Sequence, residues 1–223
     1  MDNPFRYEYK YLVTEEEIQL IIGRIKHFMD YDKNAGEDGK YIVSSLYFDD
    51  YYDSCLNENI NGTEPRTKYR IRIYNHSTDR ISFERKQKIK SMTLKTSCLI
   101  DEVECRTLMQ GGGISTAFMN DFNNRRISAL LRPKVVVEYE RIPFVYPVSD
   151  VRITFDTKLL SYEGDCFLDH ELAVKRPVMP KGLQLMEVKF DRILPEHIKE
   201  AININRLNRT AYSKYTLCRK YGL

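Results

Sequence analysis

The stretch at residues 68–74 constrains this chain more than any other, because cations and apolar residues alternate along it. As a strand, it would place the cations on one face and the apolar residues on the other. The cations are Lys68, Arg70 and Arg72. Residues two apart on a strand are about 6.6 Å from each other, and unit charges at that distance repel by roughly 2.5 kcal/mol at an effective dielectric of about 20. The three cations therefore either face water or line an interior that binds a polyanion.

The same alternation recurs on other segments. Residues 5–13 place Glu8 and Lys10 on one face, and residues 81–88 place Glu84 and Lys86 together. The predicted strands at 134–145, 151–157 and 184–190 carry Arg141, Arg152, Glu187 and Lys189. A single strand of this kind is typical of a solvated sheet face. Its recurrence on at least five segments favours a closed barrel with a polar interior and an apolar outer face that helices cover.

The other predicted elements complete an α+β fold. Residues 14–17 form a capping box that starts a helix reaching about residue 29. The remaining elements are strands at 41–49 and 92–96 (the latter placing Lys95), a hairpin turn at 75–79, and helices at 97–110, 115–131 and 194–221. The expected fold is an eight-stranded antiparallel closed β-barrel with peripheral helices and a C-terminal helix. We expect it to form one domain over residues 1–223.

Composition limits the possible settings. The chain is 42% hydrophobic and 30% charged, with a net charge of only +3, so a basic site must come from local clustering. Five scattered cysteines without a CxxC spacing favour reduced thiols. The four histidines show no metal-ligand spacing. Without an apolar signal region or a run of 18 apolar residues, we expect a cytoplasmic protein with no membrane segment.

Arginine and lysine on the shared face indicate a phosphate ligand. Arginine binds phosphate oxygens in bidentate fashion, and lysine supplies a mobile point charge. Glu8, Glu84 and Glu187 would oppose an anionic ligand unless a divalent cation such as Mg²⁺ or Mn²⁺ bridges them. For each glutamate, a salt bridge to a neighbouring cation is an equally good explanation. Glu187 is the strongest metal candidate.

Several short motifs, in order, resemble the polyphosphate polymerase domain of the vacuolar transporter chaperone (VTC) family. They are Arg6-Tyr-Glu8-Tyr-Lys10-Tyr, Ser45-Leu-Tyr-Phe-Asp49, Lys68-Tyr-Arg70-Ile-Arg72, Phe83-Glu-Arg-Lys86, Val151-Arg-Ile-Thr-Phe-Asp156, Met186-Glu-Val-Lys189 and Tyr212-Ser-Lys-Tyr215. Each motif is weak alone, but seven in sequence are specific. That domain is one of the triphosphate tunnel metalloenzymes, in which eight antiparallel strands close into a tunnel.

The resemblance implies a divalent-metal-dependent polymerase that transfers the γ-phosphate of ATP to a growing polyphosphate chain. It implies catalytic roles for Arg70, Arg72, Lys86, Arg141, Arg152 and Lys189. It further implies that the phosphate chain or triphosphate contacts Lys10, Lys68, Lys95 and Lys214. Mn²⁺ or Mg²⁺ would bind Glu187, with Glu8 as a second ligand.

Two departures and three alternatives accompany the resemblance. The wider superfamily begins with ExExK, but Arg6 stands where the first Glu would be, which weakens the case for a hydrolase with several metal-binding carboxylates. We also expect a stand-alone protein, because these residues contain neither the regulatory domain nor the membrane helices of the eukaryotic assemblies. A tripolyphosphatase or nucleoside triphosphatase and a non-catalytic polyphosphate binder are alternatives. Interleaved Tyr and Arg also permit nucleic-acid binding, which the near-neutral net charge disfavours.

Overall fold

The structure, a computed structural model, describes residues 7–89, 92–115, 119–203 and 207–221, with only the backbone described at 92 and 221. Its strands are β1 (Tyr7–Thr14), β2 (Asp30–Tyr31), β3 (Tyr41–Asp49), β4 (Arg66–Tyr74), β5 (Ser77–Ile89), β6 (Met92–Ile100), β7 (Arg132–Tyr146), β8 (Val151–Glu163), β9 (Arg176–Pro177) and β10 (Leu183–Phe190). Its α-helices are α1 (Glu15–Ile25), α2 (Ser54–Asn61), α3 (Glu102–Met109), α4 (Met119–Ser128), α5 (Glu196–Ile202) and α6 (Lys214–Tyr221). The α+β prediction is confirmed.

The chain divides into two compact units. The first unit comprises residues 1–41, 139–159 and 179–212, and its strand order is β1-β10-β8-β7, with β2 paired to β7. The second unit comprises residues 42–138, 160–178 and 213–223, with the order β8-β7-β3-β4-β5-β6 and β9 paired to β8. Every ladder whose register is resolved is antiparallel. Among the described residues the order ends at β1 in the first unit and at β6 in the second, so a closed barrel is not confirmed.

Each unit has its own hydrophobic core. The first core contains Val13, Ile153, Phe155 and Val188, together with Ile18 and Ile21 of α1. The second contains Leu46, Phe48, Tyr69, Ile71, Phe83 and Phe122. Full burial of such a side chain stabilises the fold by about 1.5–3 kcal/mol. Tyr69, Ile71 and Ile73 are at most 1% exposed, so the apolar face predicted for residues 68–74 is confirmed as a core face.

Two short-range sequence signals are confirmed. Thr14 caps α1: its hydroxyl accepts a hydrogen bond from the Glu17 N–H, while the Glu17 carboxylate accepts one from the Thr14 N–H. The predicted hairpin is confirmed, but its turn is shorter than residues 75–79, since Ser77 already pairs with Tyr74. The chain turns at Asn75 and His76, whose φ values of 49° and 58° lie in the left-handed region. Asn tolerates that region well, and two positive φ values match the right-handed twist of the flanking strands.

The predicted strand at 92–96 and helix at 97–110 are wrong at their junction. Strand β6 continues to Ile100, because residues 97–100 pair with β5 (Ser97 with Glu84, Ile100 with Ile81). Helix α3 begins only after Asp101, whose carboxylate accepts a hydrogen bond from the Glu104 N–H. Pairing with β5 therefore overrides the helical spacing of the apolar residues in this segment.

The predicted long helix at 194–221 is also wrong. Helices α5 and α6 form its ends, while residues 207–213 are not helical and residues 204–206 lie outside the described ranges. The Thr210 N–H donates to the Lys10 carbonyl at 2.9 Å, and Arg209 forms a bridge with Tyr11. Backbone pairing with β1 therefore takes the place of helical hydrogen bonds.

Other predicted bounds differ less. The first helix ends at Ile25 rather than near residue 29, and the helix predicted at 115–131 is described as α4, with residues 116–118 outside the described ranges. Phe5 and Arg6 of the first predicted strand also lie outside them. The five cysteines form no disulfide. None of the helices in the described ranges is long and apolar enough to cross a membrane.

Candidate functional site

A group of cations lies on the face of β3–β6 that is turned away from the second core. Direct pairing across the strands places Tyr47, Arg70 and Glu84 in one row. Ser45, Arg72 and Ser82 form a second row, and Lys68, Lys86 and Lys95 form a third. Paired residues of antiparallel strands project to the same side, so these rows share one face. We call Tyr47, Arg70, Arg72, Glu84, Lys86 and Lys95 the β4–β5 cluster.

Glu84 binds two cations of the β4–β5 cluster. It is 2% exposed, and its carboxylate accepts a hydrogen bond at 2.6 Å from Nε of Arg70 and lies 2.7 Å from Nζ of Lys95. A third cation, Arg72, is 8% exposed and donates to the Ser45 hydroxyl at 3.0 Å. The cluster thus contains four cationic side chains and one carboxylate, which leaves an excess of positive charge.

The same excess appears in the pKa values of two cluster residues. Burial alone would raise the pKa of Glu84, but the charges of Arg70, Arg72 and Lys95 outweigh burial and hold this pKa well below its usual range. Burial also acts to raise the pKa of Tyr47, and here Arg70 and Arg72 turn the net shift downward. The Tyr47 hydroxyl accepts a hydrogen bond from Nη1 of Arg70 at 2.7 Å. Both shifts mean that this face stabilises negative charge.

Two further predicted cations are found at α6, the C-terminal helix of the second unit: Lys68 contacts this helix and Lys214 belongs to it. The Lys68 ammonium donates to the Asn59 side-chain oxygen at 2.7 Å and stands 5.0 Å from the centre of the Tyr215 ring. Lys214 is the first residue of α6. Lys68 therefore contacts α2 and α6, while Lys86 and Lys95, which lie in the same row across the strands, belong to the β4–β5 cluster.

The first unit carries a second group of charged residues, on β1, β10, β8 and β7. The register places Lys10 opposite Glu187 and Glu8 opposite Lys189. It continues from Glu187 to Thr154 and from Lys189 to Arg152. We call Glu8, Lys10, Arg141, Arg152, Asp156, Glu187 and Lys189 the β10 cluster.

Glu187 is the centre of the β10 cluster. It is 4% exposed, and its carboxylate lies 3.2 Å from Nζ of Lys189, 3.6 Å from Nη2 of Arg141 and 3.7 Å from Nζ of Lys10. The Lys10 ammonium also lies 3.2 Å from Glu8 and donates to the Tyr212 carbonyl at 3.0 Å. Each named cation already contacts a carboxylate, so this cluster is closer to charge balance than the β4–β5 cluster.

Arg141 is fixed by Asp156. The two side chains form a bidentate pair, with Nε–Oδ1 and Nη2–Oδ2 distances of 2.6 and 2.8 Å, and Asp156 is 1% exposed. Burial acts to lower the pKa of Arg141, but Asp156, Tyr139 and Glu187 raise it well above its usual value. By contrast, the Arg152 side chain is 48% exposed and lies 3.4 Å from Asp32. Arg141 is thus rigid and permanently charged.

The structure therefore divides the predicted site residues between two units. Sequence reasoning missed three supporting residues: Ser45, which binds Arg72; Tyr47, which binds Arg70; and Asp156, which holds Arg141. Alternation places Ser45 and Tyr47 on one face of β3, and Asp156 shares the face of Arg152, so the period-two pattern was the signal that could have identified them.

The predicted metal ligands fit a divalent cation only partly. Among the described residues, no group of three or more His, Cys, Asp or Glu side chains could hold a metal ion. Glu8 and Glu187 do converge on one ammonium, that of Lys10. Mg²⁺ is commonly bound by one or two carboxylates, with substrate phosphates and water completing its coordination. These two glutamates fit that arrangement and not a cage built from protein alone.

Comparison with known proteins identifies the family. A family model described as the VTC domain matches residues 5–221. No curated protein matches the chain. Among solved structures, the chain is similar to a Bacillus halodurans protein provisionally described as an adenylate cyclase, with 16% identity over 87% of this chain and 83% of that one and a TM-score of 0.54.

Two further solved structures are more distant. A Pyrococcus horikoshii protein, PH1819, shares 13% identity over 96% of this chain and 99% of that one, with a TM-score of 0.46. The Mimivirus capping-enzyme triphosphatase shares 12% over 90% and 86%, with a TM-score of 0.36. The Bacillus structure supports a shared fold, and none of the three supports an activity. Because the family model covers nearly the whole chain, the chain belongs to the VTC domain family.

Proposed function

We propose that this protein is a polyphosphate polymerase that transfers the γ-phosphate of ATP to a growing polyphosphate chain. The observation that carries the proposal is the β4–β5 cluster, in which four cations share one face with the buried carboxylate of Glu84. That face favours an anion of high charge density, and it lies in a chain of the VTC domain family. The closed barrel, the single domain over 1–223 and a cytoplasmic location belong to the same proposal.

The proposed reaction is an in-line phosphoryl transfer. A terminal phosphate oxygen of the acceptor chain attacks the γ-phosphorus of ATP, a new P–O bond forms, and the bond between the γ-phosphorus and the β,γ-bridging oxygen breaks. ADP leaves with that electron pair, and the chain is one phosphate longer. The attacking oxygen is already ionised, so no strong general base is required. Positioning and charge neutralisation account for most of the catalysis.

Each cation then has a role within this proposal. Arg70, Arg72 and Lys86 would bind the reacting phosphates, as would Arg141, Arg152 and Lys189. Lys10, Lys68, Lys95 and Lys214 would bind the chain farther from the reacting phosphorus. When bound by Glu187 and Glu8, a divalent ion (Mn²⁺ or Mg²⁺) would supply charge neutralisation of phosphate oxygens.

Product analysis tests the proposal. The full chain is incubated with ATP and Mn²⁺, and the products are separated by length. We expect phosphate chains that lengthen with time and ADP in matching amount. Orthophosphate without chains would instead identify a triphosphatase, in which water replaces the acceptor chain.

A non-catalytic polyphosphate binder is the second candidate. It is favoured by the β10 cluster, whose carboxylates already contact cations. Tight binding of tripolyphosphate with no ADP, chain or orthophosphate formed from ATP in the presence of Mn²⁺ or Mg²⁺ would identify a binder.

A further inference from the structure

A pocket of about 430 Å³ opens in the first unit, on the face of β1 opposite to Glu8 and Lys10. Aromatic and aliphatic side chains make up most of its lining: Tyr9, Tyr11, Phe190, Leu194, Ile202 and Leu207. Phe190 and Ile202 are 4% and 5% exposed, so the floor of the pocket is fixed by the core. Tyr9 packs edge-on against Phe190, with ring centres 5.1 Å apart. The volume lies in the range of small-molecule sites, about 300–1,000 Å³.

The lining also contains Ile193, Asn203 and three cations, with no Asp or Glu among the described residues: Arg192, Lys199 and Arg209. Lys199 is ion-paired with Glu196 at 3.1 Å. Arg209 stands over the Tyr9 ring, 3.5 Å from its centre. Arg192 makes no hydrogen bond or ion pair with the residues that the structure describes. Two cations of the pocket are thus without a carboxylate partner in the lining.

We propose that this pocket binds a small organic anion with a flat apolar body. The aromatic and aliphatic lining is complementary to the body, and Arg192 and Arg209 are complementary to a carboxylate, phosphate or sulfonate group at its edge. A bare inorganic anion would leave the apolar lining unused, and a neutral hydrophobic molecule would leave Arg192 without a counter-charge. The site lies apart from the β10 cluster, since Tyr9 and Tyr11 project to the opposite face of β1 from Glu8 and Lys10.

Fluorescence titration with 8-anilinonaphthalene-1-sulfonate tests the proposal on the full chain. This probe has the required anionic group and flat body, and N-phenyl-1-naphthylamine has the same body without the charge. We expect one saturable site for the sulfonate and binding at least about tenfold weaker for the neutral analogue.

Substitution of the pocket arginines tests whether the sulfonate probe binds in this pocket. Arg192→Ala should weaken sulfonate binding about tenfold and leave the neutral analogue unaffected. Arg209→Ala should also weaken sulfonate binding about tenfold, but it uncovers the Tyr9 ring as well, so the neutral analogue is compared only with Arg192→Ala. Arg80→Ala is the matched control, because Arg80 is an exposed arginine of the second unit. Arg192 has no described partner to lose, so its replacement should not disturb folding. Equal binding of the two probes, or an Arg192→Ala variant that binds the sulfonate as Arg80→Ala does, would overturn the proposal.

Discussion

At the residue scale, Glu84 occupies two cations that the proposed function assigns to phosphate. Its carboxylate oxygens contact both Arg70 and Lys95, which are the types of partner that a phosphate oxygen requires. A bound phosphate chain would therefore share these cations with Glu84. The carboxylate also keeps Arg70 in place on the strand face before any ligand arrives, which reduces the entropy lost on binding.

Replacement of Arg72 separates binding function from folding. Arg72→Ala removes a cation that donates to a hydroxyl, so no carboxylate loses its hydrogen-bond partner. We expect kcat/KM for ATP to fall about 10²-fold or more, because one donor to a transition-state phosphate is lost. The free energy of unfolding should change much less, since repulsion from Arg70 is relieved. Arg80→Ala serves as control, and full activity of Arg72→Ala would contradict the assignment.

Replacement of Glu84 should, in contrast to that of Arg72, mainly lower the stability of the fold. Glu84→Gln removes a carboxylate that both Arg70 and Lys95 contact. Breaking a buried ion pair costs about 3–5 kcal/mol, and the cost here should be smaller because the Lys95 side chain is 50% exposed. We therefore expect a lower free energy of unfolding in urea. Added tripolyphosphate should restore more stability in Glu84→Gln than in the wild-type protein, because phosphate oxygens then neutralise the two cations. If tripolyphosphate stabilises both proteins equally, Glu84 does not share cations with the ligand.

The pH dependence of the same pair follows from the direction of the Glu84 shift. Its pKa is lowered in the folded state, so folding is favoured by its ionisation and the contribution is fully present above the unfolded value of about 4.3. As pH falls below that value towards the lower folded pKa, the contribution is lost. The stability difference between wild type and Glu84→Gln should be constant from about pH 7 to 5 and should shrink below about pH 4. Urea titrations at each pH measure this difference.

At the element scale, the alternation of polar and apolar residues predicted correctly which side chains share a strand face, but it predicted poorly where strands end. In residues 68–74 each apolar side chain was assigned to the core face, because burial enforces the period of two wherever one face is covered. Residues 97–100 failed, because their apolar spacing suits a helix and only pairing with β5 reveals a strand. Residues 207–213 failed for the same reason, since their partner Lys10 is about 200 positions away in the sequence.

The candidate site shows the same limit. The cations were predicted because their residue type and period are visible locally. Their partners were not, since the Arg141–Asp156 and Arg72–Ser45 contacts depend on which strands are neighbours. Glu8 and Glu187 were predicted as metal ligands, and the structure adds that they share Lys10. The sequence therefore indicated that cations share the polar strand faces, and only the strand register showed which residue each cation binds.

The C-terminal helix α6 depends on one buried carboxylate. Asp49 is 0% exposed and accepts hydrogen bonds from the Tyr215 hydroxyl at 2.5 Å and from the Cys55 N–H at 2.9 Å. Tyr215→Phe removes one hydrogen bond to this carboxylate, whose Oδ2 keeps the Leu56 N–H at 3.1 Å. The loss should cost about 1.5–3 kcal/mol in urea unfolding, the usual contribution of a hydrogen bond to a charged group. Tyr52→Phe, at a tyrosine that is 76% exposed, should change stability little. Equal stability of the two variants would show that α6 does not depend on this contact.

At the scale of the whole molecule, the two cores share strands. In β7, Val136 belongs to the second core and Phe144 to the first. In β8, Ile153 belongs to the first core and Tyr162 to the second. Each unit is also assembled from three separate chain segments, so cleavage of one peptide bond could not separate one unit from the other. Unfolding of one core would therefore disorder part of β7 and β8, and both strands also contribute side chains to the other core.

This continuity predicts cooperative unfolding of both cores, as the single-domain prediction requires. Ile153→Ala removes buried volume from the first core and should cost about 2–5 kcal/mol. In native-state hydrogen exchange, we expect the most protected amides of β10 and of β4 to lose protection by the same free energy, although β4 belongs to the other unit. Ile71→Ala, in the second core, is the reciprocal variant and should give the same pattern. If Ile153→Ala weakens β10 and leaves β4 unchanged, the units unfold independently and behave as two domains.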